Sequence, residues 1–367
     1  MVQGPGRLSS ALVDTALRRQ RLAGRLAEVG ADAFLVTRLP NVRYLTGFSG
    51  SNAQLLLGSA NAEFLTDGRY IEQSRREVPD LGRRTYSGEF APVFARACAD
   101  LGVRKVAFEA AGVTYKLYTE LSAAGVELVP TTGEVERLRW VKDPEELHRI
   151  RTAQSFTDAA FDLVTRKLAE GITEREVAFE LEAAVRRLGA DAPAFDTIVA
   201  FGDNAAEPHH HPTDRPLVHG DVVKIDMGAL ADGYHSDMTR TVAFGVPPEQ
   251  VREIHEVVLQ AQQAEMRAVR AGASGGEVDR AARDLIRDAG YGDHYTHSLG
   301  HGVGLEIHEG PALRSDSSDV LPAGAVVTVE PGIYLARVGG VRIEDMVEVT
   351  EDGCRAMPLT TRDLVVL

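Results

Sequence analysis

Residues 222–241 read VVKIDMGALADGYHSDMTRT, two short runs rich in apolar and β-branched residues on either side of Ala231-Asp232-Gly233. Such runs flanking Asp-Gly mark a β-hairpin. Asp226 and Asp237 lie about equally far from a turn centred near 231/232, so antiparallel pairing predicts the two carboxylates roughly opposite each other on one face. Facing like charges in an apolar strand pair are destabilising unless a positive charge lies between them. The simplest such charge is a divalent metal ion.

A second hairpin repeats the argument. VVTVEPGIY (326–334) and VRIEDMVEV (341–349) flank Gly339-Gly340, read as the turn, and Glu330 and Glu344 fall nearly opposite one another. Any one of the four acids reads equally well as a solvated strand charge, but two hairpins each carrying a facing pair do not. The helices before the hairpins repeat as well. Thr173 with Glu176 and Ser274 with Glu277 form capping boxes, opening helices that end at Leu188-Gly189 and Ala289-Gly290. Gly171 and Gly272 are 101 residues apart, and so are Gly189 and Gly290. Each is preceded by a longer helix, one running from the Asp143-Pro144-Glu145-Glu146 cap to about 170, the other over about 248–270. This internal duplication predicts two αα-plus-sheet halves whose acid pairs meet at their junction.

Histidines supply the remaining donors. THSLGHGVGLEIHE (296–309) places three in a glycine-rich segment able to bend around one cavity. Leu305-Glu306-Ile307 reads as strand-like, which removes a phosphate-loop reading of the glycines before it. Asn204 to Pro212, NAAEPHHHP, reads as a proline-flanked surface loop for at least two of its three histidines. Gly272-Ala273-Ser274-Gly275-Gly276 matches a nucleophile pattern, yet it follows a helix and Ser274 serves as an N-cap. Four carboxylates and one imidazole form an oxygen-rich set whose charge balances two divalent ions, favouring Mn2+ and compatible with Co2+, Fe2+ or Zn2+. Such ions lower the pKa of a shared water, so metal-assisted hydrolysis is the expected reaction class.

The 367 residues are long for one domain and comfortable for two. A formal charge of −14 argues against nucleic-acid partners. Cys98 and Cys354 have no metal-ligand spacing, and two cysteines suit a reducing, cytoplasmic setting. The first ten residues lack a signal-peptide core and no apolar run reaches spanning length, so no membrane partner is expected. Strand-like runs at 33–37, 54–57, 63–66, 103–109 and 126–129, with helices over 11–29, 68–77 and 115–123, form a small α/β unit. A linker at Pro130-Thr131-Thr132-Gly133 gives domains 1–133 and 134–367.

IDMGALADGYHSDMTRT, THSLGHGVGLEIHE, VTVEPGIY and GGVRIEDMVEVTEDG together resemble the pita-bread metallopeptidases, closest to Xaa-Pro aminopeptidases and prolidases (Xaa-Pro dipeptidases). NVRYLTGF (41–48) and LTDGRY (65–70) resemble their N-terminal domain. The resemblance implies an α+β fold: a C-terminal pseudo-twofold pita-bread (creatinase/aminopeptidase-like) domain and a smaller N-terminal α/β creatinase-like domain. It implies two metal ions held by Asp226, Asp237, His301, Glu330 and Glu344, with Asp237 and Glu344 bridging. It further implies Glu330 as the proton-handling carboxylate, His308 as oxyanion donor, His209 as a catalytic histidine, and His297 and Arg342 beside the substrate's proline. Glu207 departs from the apolar residue the family usually has before Pro-His. The implied substrates are small peptides with proline second, and twofold base rates favour a homodimer. Methionine aminopeptidase-like or creatinase-like hydrolysis, or a non-catalytic pita-bread binding module, are the alternative readings.

Overall fold

The protein is described here from a computed structural model, over residues 14–367. It divides into two compact units, one ending at Arg139 and the other comprising Trp140–Leu367. In the first, a mixed six-stranded sheet runs in the order Gly82–Tyr86, Ala62–Asp67, Ala53–Gly58, Ala33–Val36, Lys105–Glu109, Glu127–Thr131. Phe94, Ala97 and Cys98 of the helix Ala91–Leu101 and Leu121 of Tyr115–Ser122 pack on Leu35, Leu56, Leu65 and Val106 of the sheet. Sequence reading missed the strand Gly82–Tyr86 and the helices Leu39–Thr46 and Ala91–Leu101. The strand is a half-buried edge with little alternation, and each helix carries a proline in its first turn that looks like a loop signal until its fixed φ is used to start the helix. The expected helix 11–29 is two helices, Thr15–Ala23 and Leu26–Val29, and residues 11–13 lie outside the described range.

In the second unit the same topology occurs twice. Helices Pro144–Thr165 and Glu174–Leu188 pack on strands ordered Met238–Ala243, Val222–Met227, Ile198–Phe201. Helices Glu249–Ala268 and Gly275–Asp288 accompany Asp345–Val349, Val326–Val329 and Gly300–Gly302 in the corresponding order, within a five-stranded sheet. In both triplets the middle strand is antiparallel to its neighbours. Both capping boxes form, as does the Asp143–Glu146 box.

The two hairpins differ from expectation where it matters. Ala231 pairs with Tyr234 around Asp232 and Gly233, both at positive φ, a two-residue primed turn. This register sets Asp226 opposite Thr239, not Asp237. Asp226 and Asp237 are therefore diagonal neighbours, which share a face at a longer spacing. In the second hairpin Val329 pairs with Asp345 and Gly332 with Arg342, so the register sets Glu330 against Glu344 as expected. Its turn is at 336–338, with Arg337 at φ 68°, rather than at Gly339-Gly340. Those glycines lie in the strand Gly339–Arg342, where a Cβ on Gly340 would sit 2.2 Å from the Ala205 carbonyl oxygen, so close packing rather than a turn calls for glycine.

Both hairpins switch from one sheet to another at their acids. Pro331, without an N–H, interrupts the second ladder beside Glu330. Gly228, where a Cβ would meet the Ser236 carbonyl at 1.9 Å, marks the break beside Asp237. The halves are sewn together at the same level: Glu344 N–H donates to Thr239 O (3.1 Å) and Thr241 Oγ1 to Arg342 O (3.0 Å). The buried Arg240 donates from Nη2 to Asp345 Oδ1 (2.7 Å) and from Nη1 to Glu344 O (2.6 Å). Arg240→Met strands Asp345 with fewer partners and is expected to cost about 3–5 kcal/mol. A urea midpoint unchanged from wild type would show that this pair does not hold the halves together.

Candidate active site

The sheet breaks aim their acids into one cavity of about 500 Å³ in the second unit, lined by Asp226, Asp237, Glu330 and Glu344 together with His209, His297, His301, His308 and Arg342. Every site residue named from the sequence thus lines a single cavity. Asp237, His301 and Glu344 bring one ligand atom each within 4.8 Å of one another. His301 Nε2 stands 3.7 Å from Asp237 Oδ2 and 3.6 Å from Glu330 Oε1. Its Nδ1 lies 3.0 Å from Gly302 O, which fixes the proton there and leaves the Nε2 lone pair facing the acids.

Burial and mutual repulsion raise the pKa of Asp237 and of Glu344 far above the carboxylate range, and burial raises Glu330 too. Burial pulls the His301 imidazole down to about 4, keeping it neutral and able to ligate. One oxygen of Asp226, Oδ1, is buried with no hydrogen-bond partner among the described residues. Crowded acids, an unpartnered buried oxygen and a neutral imidazole make a donor set that fits a cation.

Arg342 is almost wholly buried and committed to the protein. It donates to Asp226 Oδ2 (2.5 Å), Thr239 Oγ1 (2.9 Å), Pro208 O (3.1 Å) and Tyr334 Oη (3.0 Å). Thr239 Oγ1 in turn donates to Glu344 Oε2 at 2.7 Å. Tyr334 Oη, with its acceptor capacity used by Arg342, donates to His297 Nε2 (2.9 Å), whose Nδ1 faces Ser298 O at 2.7 Å. Burial pushes His297 down to about 3, so its ring is neutral. The His308 ring stands nearly perpendicular to that of His301, centroids 4.3 Å apart.

Leu305-Glu306-Ile307 is a bend rather than the expected strand. Within that bend a Cβ on Gly304 would lie 2.6 Å from the Glu309 carboxylate. Within the 209–211 tract, His209 and His211 are exposed, while His210 is buried between Glu174 (2.9 Å) and Glu207 (3.0 Å). Glu207, the departure from the expected apolar residue, thus holds His210 in place. Glu174, the first residue of its helix, also accepts from Phe201 N, Asn204 Nδ2 and Thr213 N. Sequence reading missed Thr239, Tyr334, Glu174 and Lys224. Only Lys224, a cation between Val223 and Ile225 in an apolar strand, carried a local signal.

Residues 148–351 match the profile of metallopeptidase family M24, and residues 18–141 match the creatinase/prolidase N-terminal domain. The chain belongs to metallopeptidase family M24. An uncharacterised peptidase of Bacillus subtilis, YqhT, is 40% identical over 96% of this chain and all of its own length. The solved Xaa-Pro dipeptidase from Bacillus anthracis is 38% identical with TM-score 0.94, covering 96% of this chain and 100% of that one. An X-Pro aminopeptidase structure from Thermotoga maritima gives 37% and 0.88, covering 95% and 99%. The two-domain α+β architecture of this M24 chain, with its pseudo-twofold second unit, follows the family. No helix among the described residues is long and apolar enough to cross a membrane.

Proposed function

We propose that this M24 metallopeptidase hydrolyses the bond between an N-terminal residue and a following proline in small peptides, with two divalent ions, Mn2+ foremost, as cofactor. The observation that carries the reading is the single cavity uniting all four acids with His301, alongside relatives named as Xaa-Pro dipeptidases and an X-Pro aminopeptidase. Asp226, Asp237, His301, Glu330 and Glu344 would hold the cations, which when bound supply Lewis acidity and let water ionise near neutral pH. Glu330 accepts the attacking water's proton and passes it to the departing proline nitrogen. His308 donates to the oxygen that becomes negative as the carbonyl is attacked. His209 and His297 flank the substrate, while Arg342 fixes Asp226 and the wall of the proline side. An Xaa-Pro bond has no N–H to offer a general peptidase, so a dedicated cavity that encloses the pyrrolidine ring is the natural solution. Two thiols, both free, suit a reducing cytoplasm, and a homodimer is the proposed assembly, testable by light scattering.

The test is product analysis on Gly-Pro and on Gly-Pro-Yaa peptides after chelation and manganese add-back. Cleavage ahead of proline, lost on chelation and restored by metal, is the expected result. Comparing the two substrates also sorts dipeptidase from aminopeptidase. Undiminished cleavage in the chelated protein overturns the proposal. The raised pKa values add a second outcome. In the metal-free protein burial raises Glu330 to about 8, and burial with acidic neighbours raises Asp237 and Glu344, so a cation binding these acids displaces protons. Metal uptake is therefore expected to release protons, with apparent affinity rising as pH rises. Calorimetry in buffers of different ionisation enthalpy measures this, and a pH-independent affinity contradicts it.

A further inference from the structure

We propose that Lys224 is a positioning residue for His209, acting through the backbone carbonyls of the segment that carries it. The inference rests on the peptidase reading for the importance of His209. Lys224 is wholly buried and is not among the residues lining the cavity. It lies two residues before Asp226 in the strand Val222–Met227, so both side chains leave the same face. Its Nζ donates to Ala205 O (3.1 Å), Glu207 O (2.5 Å) and Pro208 O (3.4 Å), and stands 5.1 Å from the centre of the Tyr334 ring. Three carbonyls converge on one nitrogen, whose N–H groups are the donors that satisfy them.

These carbonyls end the 3-10 turn Gly202–Ala206 and lead directly into His209. A single 3-10 turn has no ladder to hold it, and its terminal carbonyls need partners. On one side the segment is fastened by Glu174 through His210 and Thr213. On the His209 side the fastening is Lys224, joined by Arg342, which shares Pro208 O and also grips Asp226. Asp226 and His209 are thereby referenced to the same strand. A polar nitrogen is costly to bury without partners, so an amine placed among three carbonyls serves them rather than the core.

In the manganese-loaded enzyme, Lys224→Met is expected to lower kcat on Gly-Pro about 10- to 100-fold, with a smaller change in KM, as displacement of a substrate-facing group does. Lys224→Arg keeps N–H donors on a long side chain but in a planar fork, and is expected to restore part of the loss. In a double-mutant cycle with His209→Ala, the Lys224→Met loss should vanish, because its target is gone. Independent, multiplicative losses overturn the proposal and leave Lys224 a stability residue. Hydrogen exchange supplies a readout that needs no turnover: amides across 203–210 should exchange faster in Lys224→Met and not in His209→Ala. Unchanged exchange there also overturns the proposal. If wild type cleaves neither Gly-Pro nor Gly-Pro-Yaa, the peptidase reading falls, and the exchange measurement alone decides whether Lys224 orders this segment.

Discussion

Replacing Asp237 with alanine is expected to reduce kcat/KM on Gly-Pro by on the order of 10³-fold or more, since Lewis-acid stabilisation supplies several kcal/mol and each 1.36 kcal/mol is tenfold in rate. Asp237 is buried, and one of its carboxylate oxygens lies within 4.8 Å of donor atoms of His301 and Glu344. Misfolding is separable from loss of metal by the sign of a companion variant. In the metal-free protein Asp237 is a buried acid pushed up by burial and by its acidic neighbours. Asp237→Asn removes that repulsion at constant size, so the metal-free variant should melt no lower than wild type while binding manganese poorly. Metal content by mass spectrometry and steady-state kinetics check both. Turnover within tenfold of wild type at full manganese content would sink the assignment.

The second large effect belongs to Glu330. Its Oε1 lies 3.6 Å from His301 Nε2 and accepts weakly from Thr328 Oγ1 at 3.3 Å. Glutamine matches the size and keeps one ligand oxygen but neither accepts nor returns a proton. Glu330→Gln is expected to depress kcat by about 10²- to 10⁴-fold, the range for a lost general acid–base group. KM should change little, because the interaction lost is made in the transition state. A variant that raised KM while sparing kcat would make Glu330 a binding residue and move proton transfer elsewhere in the cavity.

How legible the site was differs residue by residue. Glu330 and Glu344 were readable as a facing pair because one register runs through both parts of their hairpin. Asp226 and Asp237 were read with the wrong partner. The turn sits one residue further along than its composition indicates, and a small error in the turn's centre slips the whole register. The face was still right, since diagonal neighbours share it. The capping boxes and the 101-residue repeat were legible because N-cap chemistry is local and spaced by fixed numbers of residues. The Gly339-Gly340 pair misled: glycine announces a turn and close backbone approach alike, and only the distance to Ala205 O separates them.

The chemistry available to this protein is legible in residue order alone: the acids, the imidazoles, the duplicated helix–helix–hairpin order, and so the oxygen-rich donor set. Those follow from residue type and short spacing, which neighbours along the chain fix. Which of those groups are spoken for emerges from the folded packing. Arg342 is taken up by Asp226, Tyr334, Thr239 and Pro208, His210 by Glu174 and Glu207, Lys224 by three carbonyls. Most of these partners lie between 16 and 134 residues away along the chain. Hydrogen bonding across such separations depends on how elements pack within each half and between the halves, and no local pattern encodes it.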